Sequence, residues 1–162
     1  MTIKQIETEL RIQALESHKN WGKICYYVKK EFDDWATDEL AKQGYPNFKM
    51  MYMPFLMNIN VDGNTNKEIA NKGRVSKQAM SKVVKELETL GLIKVDNNQA
   101  DKRSAIIFLT NKGKKMVYTA KKHVQALTNE YKEIMGIENY NIMLEGLIKI
   151  IAYHADKKAN EF

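Results

Sequence analysis

The stretch from Thr65 to Gly113, TNKEIANKGRVSKQAMSKVVKELETLGLIKVDNNQADKRSAIIFLTNKG, decides the fold. It opens with Thr65 and has Glu68 three residues on, the reciprocal capping box in which each side chain accepts a hydrogen bond from the other residue's backbone N–H at a helix start. Gly73 supplies a stop. Ser76 is a good N-cap for a second helix that runs to Leu90, with Gly91 in the C-terminal position. Past Gly91, LIKVD and SAIIFLT are β-branched or apolar runs separated by NNQADKR, a polar loop suited to a hairpin longer than a two-residue turn. The segment therefore reads as two short helices joined by a tight turn, followed by a two-stranded hairpin.

A step of 100° per residue sorts the side chains of the second helix. With Lys77 at 0°, Gln78, Ser81, Lys82 and Lys85 fall between about 0° and 140°, whereas Ala79, Met80, Val83, Val84, Leu87 and Leu90 fall between about 200° and 340°. One face is apolar throughout. The other, from Lys77 to Glu86, bears three lysines, a glutamine and a serine, with Glu86 at its edge.

The chain on either side is helical in pattern. Upstream, IETELRIQALESHKNWGKICYYVKKEFDDWATDELAKQG carries Ile6, Leu10, Leu15, Trp21, Ile24, Val28, Phe32 and Trp35 at mostly three- and four-residue steps, as one amphipathic helix or two in succession, ended by Gly44 and Pro46. FKMMYMPFLMNI then predicts a short apolar helix in which Pro54 either makes a kink or occupies the first turn. VDGN is a break. Downstream, Thr110 caps a long helix through Gly136, and a last helix follows; both carry apolar stripes, Met116, Ala120, Val124, Leu127, Tyr131 and Ile134 on one and Met143, Leu147, Ile150 and Ile151 on the other.

Length and composition narrow the function classes. The 162 residues suit a single domain, and 44% hydrophobic with 28% charged residues is a globular composition. The lone cysteine, Cys25, has no partner for an intramolecular disulfide, and the N-terminus lacks the apolar core of a signal peptide, so a cytoplasmic protein is expected. No run reaches the roughly 18 consecutive apolar residues of a membrane span. The net charge is +6, but twelve Lys/Arg against five Asp/Glu lie between Thr65 and Met116, a local +7 that leaves −1 for the rest of the chain. A localised basic excess is the footprint of a polyanion-binding surface, and a solvated lysine face is the alternative.

The pattern T..E.A......S....V..LE..GLI, the Asp-x-Arg of DKRS and the closing LTNKG resemble the MarR family of bacterial transcriptional regulators, with several positions in fixed register over about fifty residues. The resemblance implies a mainly α fold with a small β-hairpin: a winged helix-turn-helix at 46–111, flanked by helical dimerisation regions at 1–44 and 112–162. It implies a homodimer binding double-stranded DNA at a pseudo-palindromic operator, as a repressor. It assigns Ser76, Lys77, Gln78, Ser81 and Lys82 to the major-groove face of the recognition helix, where Gln pairs with adenine and Lys with guanine acceptors or phosphate. Lys85, a turn further on, suits a phosphate. Arg103 matches the family arginine at the wing tip that enters the minor groove, Asp101 its orienting partner, and Lys102 adds charge.

Family members commonly respond to a small phenolic or lipophilic ligand in a cleft, or to an oxidant at cysteine. Tyr45, Met50, Met53 and Met57 are candidates to line such a cleft, because methionine fills irregular cavities; a plain core role is the alternative. Cys25, with Tyr45 about twenty residues on, is similar to the peroxide-sensing branch, although the flanking residues do not match it closely. No cofactor is expected. His18, His123 and His154 are far apart with no acidic or cysteine cluster at ligand spacing, so no metal is expected. No glycine phosphate loop, nucleophile elbow or His-Glu-x-x-His occurs, and no enzyme is expected. The rival classes are a winged helix used as a protein-protein module and a thiol-based sensor acting through Cys25.

Overall fold

The computed structural model describes residues 1–65, 67–69, 77–97 and 105–159, at 77–79, 97, 158 and 159 by the course of the backbone alone. It divides into two compact units, Met1–Leu109 and Thr110–Phe162.

Helix α1 spans Ile3–Leu15. Thr2 caps it in a reciprocal box: Gln5 N donates to Thr2 Oγ1 at 3.4 Å and Thr2 N to Gln5 Oε1 at 2.8 Å. A 3-10 turn at Ser17–Lys19 leads into α2, Trp21–Lys42. The amphipathic stretch is thus two helices, because Asn20 is extended at φ −66 and ψ 117 and its side chain accepts from Lys23 N at 2.9 Å, restarting the helix. At the other end Gly44, at φ +88, turns the chain so that Tyr45 N bonds back to Leu40 O at 2.9 Å.

A 3-10 turn at Met50–Tyr52 runs directly into α3, Met53–Asn58. Pro54 sits in its first turn, where its missing N–H has no intrahelical partner to lose, so no kink is needed. Strand β1 is Asn64–Thr65 and residues 67–69 are helical. The capping box expected here is formed: Thr65 N donates to Glu68 Oε2 at 2.8 Å and Glu68 N to Thr65 Oγ1 at 3.3 Å. Helix α4 is Lys77–Thr89, and β2 (Ile93–Asn97) and β3 (Ala105–Leu109) form the antiparallel hairpin. The expected stop at Gly73 and cap at Ser76 lie outside the described residues.

The hairpin has a third strand. β1 pairs with β3, Asn64 opposite Ile107 and Thr65 opposite Ile106, giving an antiparallel sheet of order β1-β3-β2. Two residues are too short for an alternating pattern, so the sequence offered no sign of β1. The core of this unit joins α3, α4 and the sheet through Leu56, Ile69, Leu87, Leu92 and Ile107, all nearly inaccessible. Leu90 departs from expectation. The period puts it on the edge of the apolar face, but it is 42% exposed, one residue past the end of α4 at Thr89.

In the second unit α5 spans Asn111–Met135 and α6 spans Ile137–Ala159, the two packed together. Thr110 caps α5 as expected, its side chain accepting from Gly113 N at 3.1 Å, and Gly136 at φ +79 makes the turn between the helices.

Candidate nucleic-acid interface

Helix α4 presents two opposed faces. Met80, Val83 and Leu87 are 2%, 3% and 1% exposed, while Ser81, Lys82 and Lys85 are all exposed. Burial of the apolar face, at roughly 1.5–3 kcal/mol per large side chain, fixes which side of the helix meets solvent. The structure therefore brings Ser81, Lys82 and Lys85 to one surface, as the residue pattern requires. Lys77 and Gln78 lie on the first turn of the same helix, and their side chains are outside the described residues, as are Ser76, Asp101, Lys102 and Arg103 entirely. The strands that carry the wing are fixed: Asn97 pairs with Ala105 at the hairpin's end. On its flank Lys94 Nζ lies 2.6 Å from Asp96 Oδ2 and 5.0 Å from the centre of the Phe108 ring, which anchors it to the sheet.

Glu86, at the edge of the basic face, is engaged from outside the helix. The Tyr52 hydroxyl donates to Glu86 Oε2, and Lys49 Nζ lies 2.9 Å from the same oxygen and 3.1 Å from the hydroxyl. The Tyr52 hydrogen bond, then that of Lys49, holds the Glu86 carboxyl below its ordinary range, with the charge of Lys82 adding to the effect. Lys49 is raised in turn, chiefly by its bond to Glu86. Sequence reading missed this cluster, since its members are 34 and 37 residues apart and no local period links them. Tyr52 itself is 3% exposed and belongs to the core.

The proposed ligand-cleft residues Tyr45, Met50, Met53 and Met57 are all half-buried, on the short segment from the end of α2 through α3. Cys25 is exposed, in the first half of α2. It and Tyr45 stand at opposite ends of that helix, about 25 Å of axis apart at 1.5 Å per residue. Among the described residues no group of three or more His, Cys, Asp or Glu is placed to hold a metal ion, and no helix is long and apolar enough to cross a membrane.

Large apolar side chains are exposed on the flanking helices. α1 buries none of its residues, leaving Ile3, Leu10, Ile12 and Leu15 in solvent, and α2 adds Trp21, Ile24 and Val28. On α6, Ile137, Leu144, Ile148 and Ile151 are exposed along one line, and Ile142, Met143, Ile150 and Tyr153 are exposed away from it.

Residues 49–104, the segment with α3, α4 and the wing, match the sequence model of the MarR family. Among solved structures, Streptococcus pneumoniae FabT in complex with DNA aligns with a TM-score of 0.69 at 19% identity, covering 85% of this chain and 99% of that one. The S. aureus MepR-DNA complex aligns with a TM-score of 0.70 at 20% identity, over 83% of this chain and 97% of its own. The transcriptional regulator BldR from Sulfolobus solfataricus gives 0.61 at 22% identity, over 94% and 99%. At these identities the likeness is one of fold. No curated protein sequence matches the chain significantly. The fold is that of the winged-helix regulators, mainly helical with a small antiparallel sheet. The winged-helix segment thus matches the MarR family in sequence, and the chain around it shares the fold of solved transcription regulators.

Proposed function

We propose that this chain is a homodimeric DNA-binding regulator that represses from a pseudo-palindromic operator and is released by a small lipophilic or phenolic ligand. The observation that carries the reading is the polarity of α4. Its apolar face is locked into the core, so Ser81, Lys82 and Lys85 have no course but outward. An α-helix with such a face fits the major groove, where Ser76, Lys77, Gln78, Ser81 and Lys82 meet base edges and Lys85 a phosphate. Arg103 enters the minor groove from the wing, with Asp101 orienting it and Lys102 adding charge. That FabT and MepR share the fold and are solved bound to DNA supports this use of it.

The dimer is supported by the exposed apolar residues of α1, α2 and α6. A helix apolar on several sides is one that an assembly buries. In this reading 1–44 and 112–162 make the dimerisation region and 46–111 the DNA-binding region, and the protein works in the cytoplasm. In this reading Tyr45, Met50, Met53 and Met57, all half-buried, line an adaptable ligand cleft.

Selection of a randomised duplex pool on the purified protein at moderate salt tests the reading. The expected outcome is an inverted repeat with half-sites about one helical turn apart. Retention without sequence preference would reduce the lysines to a basic surface, and no retention even at low salt would favour a protein partner.

A further inference from the structure

We infer that Tyr52 and Glu86 are positioning residues for sequence reading: their hydrogen bond sets the fine rotation of α4 about its own axis, and so the exact aim of Ser81, Lys82 and Lys85. The inference rests on the DNA-binding reading above. Among the described residues, Met80, Val83, Val84 and Leu87 hold α4 from the core side, and apolar packing is non-directional. Burial of that face decides which side of α4 meets solvent, but it sets the fine rotation less sharply than a directional bond does. A turn of about 30° displaces a side chain lying about 6 Å from the axis by about 3 Å, more than a base contact tolerates.

The Tyr52 hydroxyl adds a directional contact. Its ring is 3% exposed and meets Phe48 edge-on at 6.1 Å between centroids, so the hydroxyl has a fixed place in the unit. Glu86, which accepts from it, lies about 40° around the helix from Lys82 and about 100° from Lys85. Any rotation that displaces those lysines therefore stretches this bond.

Charge gives an independent reason to look for such a role. A carboxylate beside the DNA-facing lysines repels phosphate, so Glu86 works against affinity for any duplex. Lys49, 2.9 Å away, offsets that repulsion only in part, being itself 59% exposed. A residue costly for binding DNA in general yet bonded to a buried tyrosine makes sense if it favours one sequence over others.

The two roles have opposite signs in one experiment. Affinity is measured for the selected operator and for a random duplex across a salt series, using the full-length wild type, Glu86→Ala, Glu86→Gln and Tyr52→Phe, with folding checked by circular dichroism. Positioning predicts that Glu86→Ala binds random duplex as tightly as the wild type or tighter, while its operator-to-random ratio falls about tenfold, the scale of one lost base contact. Tyr52→Phe, which changes no charge and little volume, should lower the ratio with the salt slope unchanged. Glu86→Gln keeps an acceptor for Tyr52 and should keep most of the ratio. Tighter binding of Glu86→Ala to both duplexes by one factor, or a wild-type ratio in Tyr52→Phe, would overturn the inference while leaving DNA binding intact. A wild type that prefers no sequence would instead overturn the operator reading, and this inference with it.

Discussion

Gly63 lies so close against the ring of Phe108 that a Cβ at position 63 would stand 2.6 Å from Phe108 Cε1 and 2.7 Å from Ile106 Cγ2. It also adopts φ +86, in the left-handed region that suits glycine. Both facts arise from one turn: Gly63 N bonds to Asn60 O at 3.0 Å, and the buried Asn64 side chain accepts from Asn60 N at 2.6 Å. This turn delivers β1 to β3, and the pairing it secures is only Asn64 and Thr65 long.

Gly63→Ala should therefore destabilise the winged-helix unit by at least about 1 kcal/mol, from backbone strain before any steric cost is added. The urea midpoint should fall with the m-value unchanged. A midpoint equal to that of wild type would mean the turn relaxes freely.

The Glu86 cluster predicts a definite pH dependence of stability. Unfolded, Glu86 titrates near its ordinary 4.5, and folded, the Tyr52 and Lys49 bonds hold it lower, so on acidification the unfolded chain takes up the proton first. The stabilisation is complete above that ordinary value and is lost as pH falls through the folded one. Lys49 behaves oppositely: its raised folded value makes its contribution complete below 10.5 and lost only as pH climbs above it. The difference in thermal midpoint between wild type and Glu86→Gln should thus be flat from about pH 5 to 9 and shrink on further acidification. A difference that grows on acidification would contradict the geometry.

Much of this was legible in the sequence, for reasons that differ by element. The apolar face of α4 was readable because Met80, Val83 and Leu87 recur at the helical period and the core accepts them in that order. Thr65, Asn20 and Thr110 act through partners three residues away, and caps of that kind are local chemistry; the sequence showed the first and last of them, and left open whether Asn20 divided one helix from the next. β1 and the Tyr52–Glu86 bond were not readable. The first is too short to show a period, and the second joins residues 34 apart whose meeting depends on how the turn before α3 packs against α4.

The basic residues of α4 and the wing should separate by their effect on salt dependence. In the proposed reading Lys85→Ala removes a phosphate contact, so operator and random affinities should fall together and the slope of log affinity on log salt should drop by about 0.9. Arg103→Ala should weaken operator binding at least about tenfold, most at sites whose A·T-rich flanks narrow the minor groove. An Arg103→Ala protein indifferent to flank composition would take the wing tip out of the minor groove.

The apolar surface of α6 predicts a dimer and a way to break it. Ile137, Leu144, Ile148 and Ile151 follow steps of seven, four and three, so they form one stripe, and all four are exposed in the single chain. Ile142, Met143, Ile150 and Tyr153 are exposed on other sides, which leaves α6 apolar over most of its circumference. Soluble monomers seldom carry that much contiguous apolar surface, and a second copy of the same chain offers matching faces from α1 and α2. Ile148→Glu places a carboxylate in the stripe; buried without a partner it costs several kcal/mol, enough to shift a dimer toward monomer at micromolar concentration. Light scattering should then report about half the wild-type mass, and binding to an inverted repeat should fall to the level of a single half-site because the two recognition helices are no longer linked. An intact dimer in Ile148→Glu would move the interface off this stripe and onto α1 and α2.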